Sequence, residues 1–327
     1  MTTLVPSHRL LQSRWLRWLP YLLLLWLLAG CDSHLDSASD YQPQFSLQPA
    51  SQLQQRTVRV GIHPLHNPAL LFERYAPIVE RLNTRIPQAR FTLEASRNYA
   101  EFEEKLAQRQ LDIALPNPYQ TLQAQRYGYR VFGKMGDDAM FRGVVLVRAD
   151  SAVHHPQDLR GKAISFPSPT ALAATLQPQL ALHQQGLPFG SYEARYVGSQ
   201  ESSIMNVVLG HTAAGATWPA PWQSFQHTQP ELAAQLRVLL ETPSLVNNAL
   251  VAKDDLPVSL LDAVAQVFFT LHTDATGQAM LAALPVSRFE PASLQTYAPV
   301  QRFLDDYARQ IHPLAPEATP PDALEQP

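Results

Sequence analysis

Four short turns hold the residues best placed to do chemistry: Asn67-Pro68, Asn117-Pro118, Ser168-Pro169 and Gly198-Ser199. Each follows a short apolar run and opens a segment with helical spacing. An Asn or Ser side chain at such a position accepts an N–H bond from the first turn. Proline at the first helical position has the right φ and lacks only a donor that would be orphaned. A helix start presents free N–H groups and the positive end of the helix dipole. That is the chemistry of a small-anion site. The stretch Ala163–Pro178 shows the pattern in full: an apolar run over Ala163–Phe166, a break at Pro167, then an Ala/Leu-rich helix predicted from Ser168-Pro169 to about Gln185.

The elements that position these turns alternate in type. Strands are predicted at Thr57–Ile62, Arg90–Ala95, Leu111–Leu115, Tyr129–Gly133 and Gly143–Arg148. Further strands are expected at Ala163–Phe166, Tyr192–Val197, Ala213–Trp218, Leu236–Glu241 and Asn248–Lys253. Helical spacing marks Ala69–Arg85, Tyr99–Gln108, the segment from Asn117-Pro118 to about Arg126, Glu201–Leu209, Val258–His272, Thr276–Ala283 and Pro291–Gln310, and a short helix is expected at Gln157–Arg160. Strand–helix alternation of this kind predicts an α/β fold with parallel sheets. Ligands in such sheets bind beyond the carboxyl ends of the strands, and all four turns lie there.

Other chemistries lack their motifs. The chain has no G-x-S-x-G elbow, P-loop, H-E-x-x-H or G-x-G-x-x-G, so no enzyme, cofactor or metal is expected. His63 and His66 bracket Pro64 without a clear third ligand and read as structural or cleft-lining. Trp218, bracketed with Trp222 by prolines past a strand, is a candidate aromatic wall, whereas Trp222 reads as packing. A net charge of −3 over 327 residues, with no long basic run outside the extreme N-terminus, argues against nucleic acid. Apolar content of 46% and charged content of 16% are those of a globular chain.

The N-terminus reads as an export signal. His8, Arg9, Arg14 and Arg17 precede the apolar run Trp18–Ala29, short for a membrane span, which leads to Leu27-Leu28-Ala29-Gly30-Cys31. This closely resembles a bacterial lipoprotein signal over residues 1–30, with Cys31, the chain's one cysteine, lipidated. Several acyl chains give stable anchoring where one is marginal. Asp32 resembles an inner-membrane retention signal. Residues 31–56 read as a flexible tether and 313–327, rich in Pro, Ala and Glu, as a disordered tail.

The chain is similar to the periplasmic substrate-binding proteins of phosphate/phosphonate-type ABC transporters. The resemblance covers about 58–309. It rests on Val-Arg-Val-Gly-Ile-His-Pro near the start, Tyr75-Ala-Pro-Ile-Val-Glu-Arg-Leu, Asn98-Tyr99-Ala-Glu-Phe, Gln110-Leu-Asp-Ile-Ala, Asp158-Leu-Arg-Gly-Lys-Ala-Ile-Ser-Phe, Gly198-Ser-Gln-Glu-Ser, Val208-Leu-Gly and Lys253-Asp-Asp-Leu-Pro. It implies a two-lobed type II binding-protein fold, each lobe a mostly parallel sheet flanked by helices. Lobe one would comprise 57–143 and 241–312, and lobe two 144–240. It also implies a periplasmic, lipid-anchored protein that hands a small anionic ligand to an ABC permease. The alternative is a ligand-sensing lipoprotein that regulates a membrane signalling partner. The candidate ligand-binding residues are Asn117, Tyr119, Ser168, Thr170, Ser199, Gln200 and Trp218, followed by His63 and Asn67. The family's Ser-Thr-Ser-Gly run falls on Ala171-Leu172-Ala173-Ala174, its cleft His on Gln200, its aromatic after the third strand on Pro116, and an Asp on Ala213. With those hydroxyls gone, a monoanion, a larger organic anion or a changed role is expected rather than a phosphonate dianion.

Overall fold

A computed structural model describes residues 55–284, 286–312 and Leu314. The predicted signal segment, Cys31, Asp32, most of the predicted tether and most of the predicted C-terminal tail lie outside the described residues.

Two sheets organise the chain. The first is built from β1 (Arg56–Ile62), β2 (Ala89–Glu94), β3 (Ile113–Leu115), β4 (Tyr129–Met135), β10 (Ala249–Lys253) and β11 (Phe289–Pro291), in the order β11-β4-β10-β3-β1-β2. The second holds β5 (Val144–Arg148), β6 (Ala163–Phe166), β7 (Glu193–Tyr196), β8 (Ala214–Thr217) and β9 (Leu236–Glu241), in the order β7-β6-β8-β5-β9. The helices are α1 (Pro68–Arg85), α2 (Tyr99–Ala107), α3 (Pro118–Arg126), α4 (Gln177–Gln184), α5 (Gln200–Val208), α6 (Pro219–Thr228), α7 (Pro230–Ala233), α8 (Val258–Phe269), α9 (Ala275–Ala283) and α10 (Ala298–Gln310).

The expected two-lobed α/β architecture is present, but both sheets are mixed. Parallel pairing is confined to the βα units, where β1 pairs with β2 and β3, and β6 with β7 and β8. Strands on either side of the two chain crossings run the other way: β10 is antiparallel to β3 and β4, and β5 is antiparallel to β8 and β9. A chain that leaves one sheet and returns to it reverses direction, which the local periodicity does not show.

Apolar spacing dictates the packing. α1 buries Leu71, Tyr75, Ile78, Val79 and Leu82, one stripe of an amphipathic helix, against β1 and β2. A second cluster on the other face joins α2, α3 and α10 to Leu172, Leu176, Leu180 and Trp218, so the two sheets share apolar packing across the seam. Tyr307 Oη on α10 donates to Gln179 Oε1 on α4 at 2.5 Å.

Several boundaries differ from the sequence reading. β1 opens at Arg56, one residue inside the predicted tether. Pro291 ends β11 rather than opening the last helix. Gln157–Arg160 is a single 3-10 turn over Pro156–Leu159. Leu314, read as tail, packs against the second apolar cluster.

Candidate functional site

The predicted helix starts divide in the structure. Asn117 caps α3: its Oδ1 accepts from Gln120 N at 3.0 Å, and Gln120 Oε1 accepts from Asn117 N at 3.1 Å. Ser199 caps α5, accepting from Ser202 N at 3.0 Å, and this places Gln200 as its first residue. Asn67 caps α1, accepting from Leu70 N at 3.0 Å. Ser168-Pro169, by contrast, is a turn and not a helix start. The Ser168 carbonyl accepts from Ala171 N at 3.3 Å and from Thr175 Oγ1 at 2.7 Å. These bonds hold residues 168–171 as a turn, and a wide π turn over Leu172–Leu176 then leads into α4.

A small cavity lined by buried residues lies between the sheets. Of the predicted site residues, His63, Asn117, Gln200 and Trp218 line it. Tyr99, Phe141, Ala171–Ala174 and Asn248 complete the lining. Tyr119 instead packs in the second apolar cluster. Ser168, Thr170 and Ser199 do not line it, although Thr170 and Ser199 adjoin the lining residues Ala171 and Gln200 in the chain, and Asn67 lines a separate groove. The run Ala171–Ala174, which aligns with the family's hydroxyls, does reach the cavity. It brings apolar side chains, and at Leu172–Ala174 the first turn of the helical segment.

The polar lining is pre-ordered by contacts that cross from sheet to sheet. Gln200 Nε2 donates to Tyr99 Oη at 3.3 Å, and its Oε1 accepts from Thr217 Oγ1 at 3.0 Å. Asn117 Nδ2 donates to the Thr170 carbonyl at 3.0 Å. Thr170 Oγ1 and Gln120 Nε2 both donate to Glu103 Oε1, at 2.5 and 3.0 Å. Burial pushes the Glu103 carboxyl up, against those two hydrogen bonds. Trp218 leans on Phe141 with ring centres 5.6 Å apart.

His63, directly after β1, is 3% exposed. Its Nδ1 lies 2.9 Å from the Leu115 carbonyl, which only accepts, so Nδ1 carries the hydrogen. Burial lowers its pKa to about 4, against the Leu115 bond, and the ring is neutral at physiological pH. No cationic side chain lines the cavity among the described residues. Nor do the described residues hold a cluster of three His, Cys, Asp or Glu able to bind a metal. The space is small, about 10 Å³ for the centre of a water-sized sphere. That is room for one water.

Sequence reasoning missed Asn248 and did not single out Tyr99 as a site residue. Asn248 sits just before β10 with no local motif to mark it. Tyr99 follows a cap, Asn98, that accepts from Glu101 N at 2.9 Å, and the same signal that marked Asn117 would have found it.

Two lobes enclosing a small buried cavity at the ends of their strands define a binding protein. The family model for the periplasmic substrate-binding protein of phosphonate ABC transporters matches residues 60–297, and the chain belongs to that family. Members of this family bind substrates in the periplasm and are not enzymes. The fold is similar to that of a binding-protein component of a phosphonate ABC transporter from Pseudomonas aeruginosa, at 16% identity and a TM-score of 0.73, over 79% of this chain and 88% of that one. It is similar to a Prochlorococcus marinus protein solved with methylphosphonate, at 19% identity and 0.72, over 77% and 98%. It also resembles an alkanesulfonate-binding protein from Xanthomonas axonopodis solved with MOPS, at 18% identity and 0.58, over 80% and 96%.

Proposed function

We propose that the chain is the lipid-anchored solute-binding protein of an ABC importer and takes a small oxyanion between its lobes. Lobe one is 57–143 with 241–312, and lobe two is 144–240. The observation that carries the reading is the meeting of two helix starts from different sheets, at Asn117 and Gln200, on one buried cavity. Their N–H groups and dipoles favour an anion there without any cationic side chain. His63, Tyr99, Asn117, Gln200, Trp218 and Asn248 form the contacts, Trp218 as an apolar wall. Thr170, Ser168 and Ser199 support them, while Tyr119 and Asn67 take no part. Cys31 carries the lipid, residues 31–56 are the tether, and Asp32 keeps the protein at the inner membrane beside its permease.

Thermal melting of the full chain with phosphate, phosphite, methylphosphonate, methanesulfonate and acetate tests the ligand class. A ligand at 100 times its Kd stabilises by about 2.7 kcal/mol, and a panel that stabilises nothing overturns the reading. Cys31→Ala releases the protein from the membrane fraction if the anchor is as proposed, whereas unchanged fractionation rejects it.

A further inference from the structure

We propose that Asn248 and His63 make this cavity selective for an oxyanion that still carries one acidic proton, over a fully ionised or proton-free anion of the same shape. The inference rests on the small-oxyanion reading of the site. Asn248 is fully buried and lines the cavity. Its Nδ2 turns away to Met135 Sδ at 3.6 Å, and its Oδ1 has no hydrogen-bond partner among the described residues. Its backbone is fixed on both sides, with N donating to Asn247 Oδ1 at 2.8 Å and O accepting from Met135 N at 2.8 Å. His63 spends its one hydrogen on Leu115, which makes Nε2 an acceptor.

The cavity therefore offers two acceptors that a bare anion leaves unpaired. A hydroxyl on the ligand acid satisfies one of them, and the helix-start N–H groups take the charge. The surrounding charges favour the same choice. Glu103 on α2 lies one turn beyond Tyr99, and Glu201 on α5 follows Gln200. Of the cations nearby, Arg74 is engaged with His66 and Ser224, at 2.6 and 2.9 Å. Behind Asn248, Lys134 is paired with Asp138 and Glu290, at 2.8 and 2.7 Å, and Tyr297 Oη donates to the Asn247 carbonyl at 2.8 Å. None of these lines the cavity. Glu103 and Glu201 do not line it either, so a second negative charge would sit near two carboxylates with no cationic side chain in the wall to offset it.

Methylphosphonate and methanesulfonate separate the possibilities, because both are small tetrahedral anions and only the former can carry an acidic proton. Calorimetric titration of the full chain from about pH 6 to about pH 9 spans the loss of that proton. Methylphosphonate affinity is expected to fall by roughly tenfold or more as pH rises. Methanesulfonate is expected to bind at least about tenfold more weakly at low pH, the penalty for an unpaired buried acceptor. Asn248→Leu should narrow the gap between the two ligands while thermal melting confirms that it folds. Equal binding of the two ligands, or a methylphosphonate affinity that does not fall with pH, overturns the selectivity and leaves the site reading intact. Failure of both ligands to bind at any pH overturns the site reading and the selectivity with it.

Discussion

His66, in the loop after β1, and Glu201, in the first turn of α5, lie 3.3 Å apart across the seam between the sheets. Arg74 donates to His66 Nε2 at 2.6 Å and to Ser224 Oγ at 2.9 Å. An acceptor at Nε2 places the hydrogen on Nδ1, which then donates to Glu201. The relay joins α1 to α5 and α6, and the Glu103–Thr170 bond makes a second link between the lobes. Burial works against the Glu201 carboxylate, but the His66 hydrogen bond and the Arg74 charge hold it below the usual carboxylate range. The two lobes are thus joined by their own side chains at these two places.

Removing one end of this relay should loosen the seam rather than unfold the chain. Glu201→Ala is expected to cost about 1 kcal/mol, because the side chain is about a third exposed and solvent screens the pair. Hydrogen exchange checks it: protection should fall in the first turns of α1 and α5 and hold in β1 and β8. Unchanged protection at the seam would deny the relay its role.

His63 predicts an acid-sensitive fold. Its pKa drops from 6.5 to about 4 on folding, so between those values the unfolded chain binds a proton that the folded chain refuses. Stability falls as pH is lowered through that window and is fully present above it. The contribution is on the order of 3 kcal/mol. His66, also lowered mainly by burial, adds to the same trend. Urea unfolding at several pH values should show the slope flatten in His63→Phe. An unchanged slope would mean that His63 is not the buried neutral group described.

Asn117→Ala should cost about 1 kcal/mol through the lost α3 cap, and more through the bond to Thr170. Asn117→Asp keeps the cap acceptor but loses that Nδ2 donor. Equilibrium unfolding of the two variants separates the cap from the cross-seam bond: an Asn117→Asp variant as stable as the native chain would show that the bond contributes nothing, and equal losses would show the same of the cap.

Gly215 sets how closely α5 approaches β8. A Cβ there would meet the Ser203 carbonyl oxygen at 2.5 Å and Val207 Cγ2 at 2.6 Å. Gly215→Ala should therefore destabilise by about 1–3 kcal/mol and displace Gln200 from the cavity. Thermal melting with ligand titration checks both effects, and a fully stable variant with native affinity would contradict the packing.

Local signals explain what could be read from the sequence. Alternation in Thr57–Ile62 and the Asn-Pro caps at 67–68 and 117–118 act within a few residues, and β1, α1 and α3 begin within a residue of expectation. Ser168-Pro169 carries the same local signal, yet bonds from Ala171 and Thr175 to the Ser168 carbonyl move the helix start to Leu172. β11 is three residues whose partner, β4, lies about 150 positions earlier, so no window of sequence reveals it. Asn248 enters the site for the same reason: the return crossing of the chain brings it to the wall, not anything in its neighbours.

The seam between the sheets, proposed as a small-oxyanion site, can be probed in one titration. Calorimetric titration of the full chain with methylphosphonate, beside Ala173→Phe, tests it most directly, since the added ring would fill a cavity that holds about one water. Saturable one-to-one binding is expected of the native chain, and none of a variant that still melts cooperatively. Absence of binding by the native chain, or equal binding by both, would contradict it.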